Sequence, residues 1–312
     1  MRLAAALAVV YVVWGSTYLG IDVAERSLPP LFMLSVRFLI AGVLLWAWAS
    51  RRGEVAAERP GLRQWRAAAV VGGLLLVVET GAVAFSEKHI PTGLAALIVA
   101  SVPLFMAMLD RAFFGIRIPL LAGVGILAGL AGVGLLAGGG VGGMNPLWAL
   151  VLLGGAFAWA AGSAYARVAP LPGGSVLSAA MQMLTASVML FVISAAKGDL
   201  GHVHASALSL TSVSSIAYLV GFGSILAYTA YGWLLRNAAT PLLSTYAYVN
   251  PAVAVVLGWA FAGEHLGARE LVAGLVVLAS VALILVARRP APAKVVQLPR
   301  RTPAPAPERA AA

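Results

Sequence analysis

Val102-Pro103-Leu104 and Asn250-Pro251-Ala252 lie 148 positions apart, each inside an apolar run, as the matched centres of a repeat. Reading outward from them, Thr80 to Leu136 is replayed by Tyr228 to Leu285. The segment Glu87-Lys88-His89-Ile90-Pro91-Thr92 leading into the first centre answers to Arg236-Asn237-Ala238-Ala239-Thr240-Pro241 before the second. Each copy closes on a Gly-rich stretch, Gly125, Gly129 and Gly132 in the first and Gly263 and Gly274 in the second. Upstream, Gly15-Ser16-Thr17-Tyr18 matches Gly162-Ser163-Ala164-Tyr165 at an offset of 147, and Arg37-Phe38-Leu39 matches Gln182-Met183-Leu184 at 145. Two greasy helices resemble each other by chance; a series of matched positions in one order does not. The repeated block holds five apolar runs. A block that crosses a membrane an odd number of times delivers its second copy upside down, and inverted repeats of this kind are a transporter architecture.

Composition agrees with a membrane. Hydrophobic residues make up 61% of the chain, charged residues 10%, and mean hydropathy is +0.95, too little charge to cover a soluble protein of 312 residues. Apolar runs fall near residues 4–22, 31–50, 66–86, 92–110, 118–137, 146–167, 175–195, 209–235, 240–261 and 268–287, each long enough for about 30 Å of hydrocarbon. The expected fold is an all-α membrane protein of ten transmembrane helices in two inverted five-helix repeats. Residues 1–138 form the first repeat and 146–287 the second, followed by a disordered, basic, Pro/Ala-rich tail at 288–312. The first run is read as a span and not as a cleaved leader, because no small-residue cleavage site closes it.

Charge sets the expected orientation. With a cytoplasmic N-terminus, the inner side collects Arg2, Arg51, Arg52, Arg59, Arg63, Arg66, Arg111, Arg117, Arg167, Arg236 and the six basic residues of the tail, 16 in all. The outer side has Arg26, Lys88, Lys197 and Arg269, which is 4, and Arg37 lies within a span. This excess follows the positive-inside rule, with both termini cytoplasmic in an inner cell membrane. The net charge of +10 is thereby accounted for by topology and anionic lipid, and no nucleic-acid partner is expected. The chain has no cysteine, which excludes disulfides and thiolate chemistry.

Taken together, Trp14-Gly15-Ser16-Thr17-Tyr18, Leu28-Pro29-Pro30, Arg37-Phe38, the segment Pro91 to Pro103, and Asn250-Pro251 through Gly263-Glu264 resemble the EamA-type branch of the drug/metabolite transporter superfamily. The resemblance covers roughly residues 5–287. It implies ten helices, a central cavity, and export or exchange of small metabolites, without naming the solute.

Candidate site residues follow from depth and chemistry. Pro103 and Pro251 each fall about 11 residues into a span, near the bilayer midplane at about 1.5 Å per residue. There they are expected to kink the helix and free backbone carbonyls. Arg37 and Glu79 are formal charges inside spans, both about 10 Å from the outer boundary of a 30 Å core. Charges at that depth are functional or paired. Arg37 is expected to bind a substrate carboxylate, with Glu79 as its resting partner or as a proton-coupling group; a fixed structural pair is the competing reading. Trp14, Ser16, Thr80, Trp159, Gln182, Tyr228, Tyr246 and Asn250 complete the expected substrate-binding set. Aromatic walls with a few hydrogen-bonding groups suit small organic solutes, although aromatic residues also pack and form interface belts. Gly125-x-x-x-Gly129 fits close packing within one bundle better than a homodimer contact.

The expected function is a secondary transporter of small metabolites, amino-acid-like or otherwise, working by alternating access. Its expected partners are a small-molecule substrate and the lipid bilayer, with a homodimer left open. The alternatives are a membrane-embedded transferase, which needs clustered His, Asp or Glu near one membrane face, and a channel or accessory subunit. No cofactor or metal is expected. His202-x-His204 lacks a carboxylate at ligand spacing, and no nucleotide-binding glycine motif is present.

Overall fold

A computed structural model describes residues 2–25, 27–86, 89, 98–136, 146–203, 208–262 and 268–287, which form helices and turns with no strand among them. The long helices are α1 Arg2–Glu25, α2 Pro30–Arg51, α3 Leu62–Ser86, α4 Val102–Phe114, α5 Leu120–Leu136, α6 Pro146–Ala166, α7 Ser175–Ala196, α8 Leu210–Asn237, α9 Tyr246–Ala262 and α10 Ala268–Val286. Short helical turns occupy Glu54–Glu58, Asp199–His202 and Thr240–Leu243. The expected loop at Gly138–Gly143, the Pro91–Ala96 and Gly263-Glu264 motif segments, His204, His265 and the tail lie outside the described residues.

The termini obey local chemistry. Pro30 opens α2, where its missing N–H is one that would have had no partner in the helix anyway. Gly115 closes α4 at φ 64°, a left-handed conformation that a side chain would strain. Lateral patterning is apolar on both faces. In α2, Leu34, Phe38, Ala41 and Leu45 are buried, while Leu39, Ile40, Val43, Leu44 and Trp48 are exposed. A water-facing helix would carry polar residues on that outer face. α2, α3, α7, α8 and the stretch Leu147–Ala166 of α6 are each long and apolar enough to cross a membrane. The apolar stretches Arg2–Thr17, Leu120–Gly132 and Leu271–Ile284 are shorter.

Packing follows a pattern. α2 packs on α7 and α5 on α10. α1 packs on α9 and on α8, while α6 packs on α4 and on α3. α2 also packs on α8, and α7 on α3. Exchanging each helix of α1–α5 with the helix five places on converts α1–α9 into α6–α4, α1–α8 into α6–α3, and α2–α8 into α7–α3. Close approach depends on missing side chains: a Cβ on Gly72 would lie 2.5 Å from the Gln182 carbonyl oxygen, and one on Gly125 would lie 2.6 Å from Ile284 Cγ1. Gly129 faces Tyr248 of α9, so the Gly125-x-x-x-Gly129 pair packs inside one bundle.

The ends of the bundle can be told apart. The α6–α7 turn lies with the α2–α3 turn, where Glu58 accepts from the Gly173 N–H at 2.9 Å. The end of α8 lies there too, with Arg236 donating to the Pro172 carbonyl at 3.2 Å. The α1–α2 turn lies at the other end, where Ser27 and Ser212 share a hydrogen bond of 2.6 Å at the start of α8.

Two features depart from regular α-helix. α3 runs as π-helix over Gly73–Glu79, and α8 over Leu219–Tyr228. π-Helical turns are rare and are often found at functional sites. These two end on Glu79 and Tyr228, within one residue of each other at the offset of 148 that aligns Thr80 with Tyr228. The helical path is interrupted just before Pro103. Ile98 and Val99 are helical, Ala100 and Ser101 form a turn, and Pro103 sits in the first turn of α4. At that position a proline starts a helix and breaks no ladder bond. Pro251 does lie inside its helix.

Candidate functional site

The α1 face carrying Trp14, Thr17 and Ile21 meets the α3 face carrying Leu76, Glu79, Thr80 and Val83, both at helical spacing. Between them lies a cavity of about 800 Å³, part of it open to solvent. α2 adds Arg37 and Phe38, α4 adds Val102, α6 adds Trp159, and α7 adds Met183. α8 contributes Gly223, Ser224 and Tyr228, and α9 contributes Tyr246 and Asn250, one turn apart.

Arg37 is buried at 6% exposure, and its Nε donates to Ser224 Oγ at 2.8 Å. Across the same cavity, Thr80 Oγ1 donates to Glu79 Oε2 at 3.2 Å and to the Leu75 carbonyl at 3.3 Å. Arg37 and Glu79 are thus two opposite charges lining one cavity, each with a hydroxyl against it. The side-chain amide of Asn250 faces the Tyr246 and Tyr11 carbonyls, and with its nitrogen turned toward them it donates to both, at 3.1 Å and 3.2 Å, tying α9 to α1.

The base of the cavity is aromatic. Trp14 lies 5.5 Å from Trp159, 5.1 Å from Tyr231 and 5.3 Å from Tyr246, ring centre to ring centre. Tyr231 and Tyr246 meet edge to face at 5.6 Å. Edge and tilted contacts of this kind stabilise a cluster beyond its buried area. Its polar atoms are matched. Trp159 Nε1 donates to Tyr231 Oη at 2.8 Å, Ser163 Oγ bonds the same hydroxyl at 2.7 Å, and Trp14 Nε1 donates to the Gly223 carbonyl at 3.1 Å.

A smaller cavity, about 350 Å³ of empty space with open solvent included, lies toward the end that carries the α2–α3 turn, lined among others by Ser175, Ser178, Gln182, Leu235 and Arg236. Tyr228 lines both cavities. Its hydroxyl donates to Gln182 Oε1 at 2.7 Å, and Gln182 Nε2 donates to Ser178 Oγ at 2.9 Å. Beyond this cavity Arg167 pairs with the buried Asp110 and donates to Thr240 Oγ1 at 3.0 Å, with Phe114 beneath its guanidinium at 4.9 Å.

Two expected residues fall elsewhere. Gln182 faces the smaller cavity, because its amide is held by Tyr228 and Ser178. Ser16 bonds the Val13 carbonyl at 2.8 Å and the Tyr218 hydroxyl, so it joins α1 to α8. Trp14, Arg37, Glu79, Thr80, Trp159, Tyr228, Tyr246 and Asn250 all line the larger cavity. Sequence reasoning missed Thr17, Gly223 and Ser224, small residues of a kind common throughout membrane helices, and the Asp110–Arg167 pair. In sequence Asp110 looks like a span end, and only the offset of Arg167 from it hides their meeting.

Known proteins agree with this architecture. The EamA-like transporter family model matches residues 2–138 and again 146–286. An uncharacterized inner membrane transporter of Escherichia coli strain K12, YedA, is 42% identical over 94% of each chain. A probable terminal-alkyne amino-acid exporter of Streptantibioticus cattleyicolor is 26% identical over 89% of this chain and 92% of its own. A probable amino-acid metabolite efflux pump of Salmonella typhimurium is 23% identical, covering 86% and 90%. A crystal structure superposes with a TM-score of 0.75 at 18% identity, over 91% of this chain and 97% of that one, a likeness of fold alone. With a family match in both halves and close identity to an inner membrane transporter along nearly its whole length, this chain is a membrane transporter belonging to the EamA-like transporter family.

Proposed function

We propose that the chain is a secondary transporter that exports or exchanges small organic solutes bearing a carboxylate, amino-acid-like ones included, by alternating access. In this reading α1 to α10 all cross an inner cell membrane, with both termini cytoplasmic and the two halves inverted. Several observations support the inversion. The exchange of each helix with the one five places on preserves the packing pairs, and the α6–α7 turn shares an end with α2–α3 while the equivalent α1–α2 turn lies opposite. The Arg-rich α2–α3 turn marks the cytoplasmic end by the positive-inside rule. The larger cavity then faces outward and the smaller one inward.

The observation that carries the reading is the composition of the larger cavity. One buried guanidinium and one carboxylate line it above an aromatic base, a combination that fits a zwitterion with an apolar side chain. Relatives named as an amino-acid exporter and an amino-acid metabolite efflux pump are consistent with this class and with outward transport. Continuous passage is opposed by Tyr228, which stands between the two cavities with its hydroxyl held by Gln182, so a carrier is favoured over a channel.

Counterflow in liposomes tests the proposal. Purified protein should show saturable uptake of labelled solute driven by unlabelled solute inside. Arg37→Ala should lower affinity for carboxylate solutes by about tenfold or more, the loss of a charge-assisted pair, and leave uncharged solutes unaffected. Flux without saturation would indicate a channel, and an even loss across both solute types would make Arg37 structural.

A further inference from the structure

Arg37 is tied to α8 at the place where that helix is π-helical. Its Nε donates to Ser224 Oγ at 2.8 Å, and Ser224 is 1% exposed. One residue earlier, a Cβ on Gly223 would stand 2.8 Å from Arg37 Nη2 and 3.0 Å from Thr17 Cγ2. The Gly223 carbonyl accepts from Trp14 Nε1 at 3.1 Å, which holds this stretch of backbone against α1. Both residues belong to the π-helical run Leu219–Tyr228. Regular α-helix turns successive residues by about 100°, and the wider π turn changes which neighbours share a face.

We propose that Gly223 and Ser224 form a specificity-determining seat for Arg37, with carboxylate-bearing solutes as its ligand class. The inference rests on the reading of the larger cavity as the solute site. The seat takes the Nε–Nη2 edge of the guanidinium, through a hydrogen bond from Nε to Ser224 and an absent side chain beside Nη2 at Gly223. In this proposal the Nη1 and Nη2 N–H groups that the seat does not cover are the ones that meet the two oxygens of a carboxylate, since Arg37 lines the cavity. Both seat residues belong to the cavity wall, and both act on carboxylates through the aim of Arg37.

The repeat supports this independently. Gly223 and Ser224 align with Leu75 and Leu76 at the offset of 148, and Arg37 aligns with Gln182. The half-site with the cation has the small and hydroxyl residues opposite it, and the half-site with the neutral amide has two leucines. The two differences belong together, since a leucine at 223 would overlap the guanidinium and at 224 would leave its Nε without an acceptor.

The absence of cysteine makes the test direct. Val83→Cys places a single thiol in the wall of the larger cavity, and its labelling by a neutral methanethiosulfonate is slowed by whatever occupies the cavity. Two carboxylate–amide pairs serve as probes, L-leucine with leucinamide and benzoate with benzamide. Carboxylates should protect the thiol, and Arg37→Gln should abolish that protection. Gly223→Ala and Ser224→Ala should each raise the half-protecting concentration of the carboxylates about tenfold, leave that of the amides unchanged, and still unfold in one cooperative transition. Ser224→Thr, which retains the hydroxyl, should restore carboxylate protection. If Arg37→Gln abolishes protection while Gly223→Ala and Ser224→Ala do not alter it, the seat is wrong and the solute site stands. If carboxylates fail to protect the parent, or protect Arg37→Gln equally well, the solute site itself is wrong and the seat falls with it.

Discussion

At the scale of single residues, cost determines what a sequence reveals. A charge inside a membrane run is expensive, so Arg37 and Glu79 stand out against 61% hydrophobic composition, and both line the cavity. Trp14, Trp159 and Tyr246 are legible for a related reason, since large amphipathic rings at mid-depth need partners for their polar atoms. Ser16 and Gln182 show the limit. A hydroxyl or amide in a membrane helix is equally well satisfied by a cavity or by a neighbouring helix, and these two are satisfied by Tyr218 and by Tyr228 with Ser178. Glu79 carries a prediction at this scale. It shares the cavity with Arg37 and lies at the end of the π-helical run of α3, so protonation there would alter the charge that a zwitterion meets. Glu79→Gln should make exchange in liposomes independent of pH between about 5 and 8 while keeping the Arg37-dependent preference for carboxylates. Unaltered pH dependence would move proton coupling to another group.

At the scale of elements, helix identity was readable from runs of about 20 apolar residues, but their internal irregularities were not. The π-helical stretches of α3 and α8 leave no compositional mark that separates them from ordinary glycine-containing membrane helix. Pro103 follows a break in the helical path and opens α4, whereas Pro251 lies inside its helix, so one residue type has different effects in a first turn and in a helix interior. Glycine spacing also under-determines packing, since some glycines are contact points and others are not. Gly72 touches backbone, with the Gln182 carbonyl oxygen 2.5 Å from where a Cβ would be, and a carbonyl cannot rotate aside as a side chain can. Gly154 has nothing within 4 Å. Gly72→Ala should therefore push α3 from α7 and destabilise the protein by about 1–3 kcal/mol, the usual cost of overpacking. Gly154→Ala should be neutral or slightly stabilising, by up to about 1 kcal/mol, through helix propensity. Thermal unfolding of the two variants side by side checks this, and equal melting temperatures would contradict the close α3–α7 contact.

At the scale of the whole molecule, the repeat was legible because it depends on matched positions and not on contacts, and the family match falls once in each half. What the sequence could not show is how one end of the bundle is fastened. The ends of α4 and α6 and the short turn before α9 are joined by Asp110, Arg167 and Thr240, and Arg236 clamps the α6–α7 turn through backbone carbonyls. These residues are far apart in sequence, and each looks like an ordinary helix terminus. Side-chain exposures of 2% for Asp110 and 19% for Arg167 put the pair mostly out of water. Removing one member of a buried pair typically costs about 3–5 kcal/mol because the other charge is left uncompensated, and the partial exposure of Arg167 reduces that here. If the two halves rock about Tyr228, this fastening must part for the smaller cavity to open. Asp110→Asn keeps the shape and removes the charge, so it should weaken the closed end in preference to the fold. The expected readout is labelling of a Ser178→Cys reporter in the smaller cavity by an impermeant thiol reagent applied from the side of the α2–α3 turn. A shift of about 1.4 kcal/mol toward the open state gives about a tenfold increase in rate. Adding Arg167→Gln should bring back part of the lost stability, because no charge is then stranded, while the end stays easier to open. Lower stability in Asp110→Asn with an unaltered labelling rate would mean that the pair holds the fold together and takes no part in access.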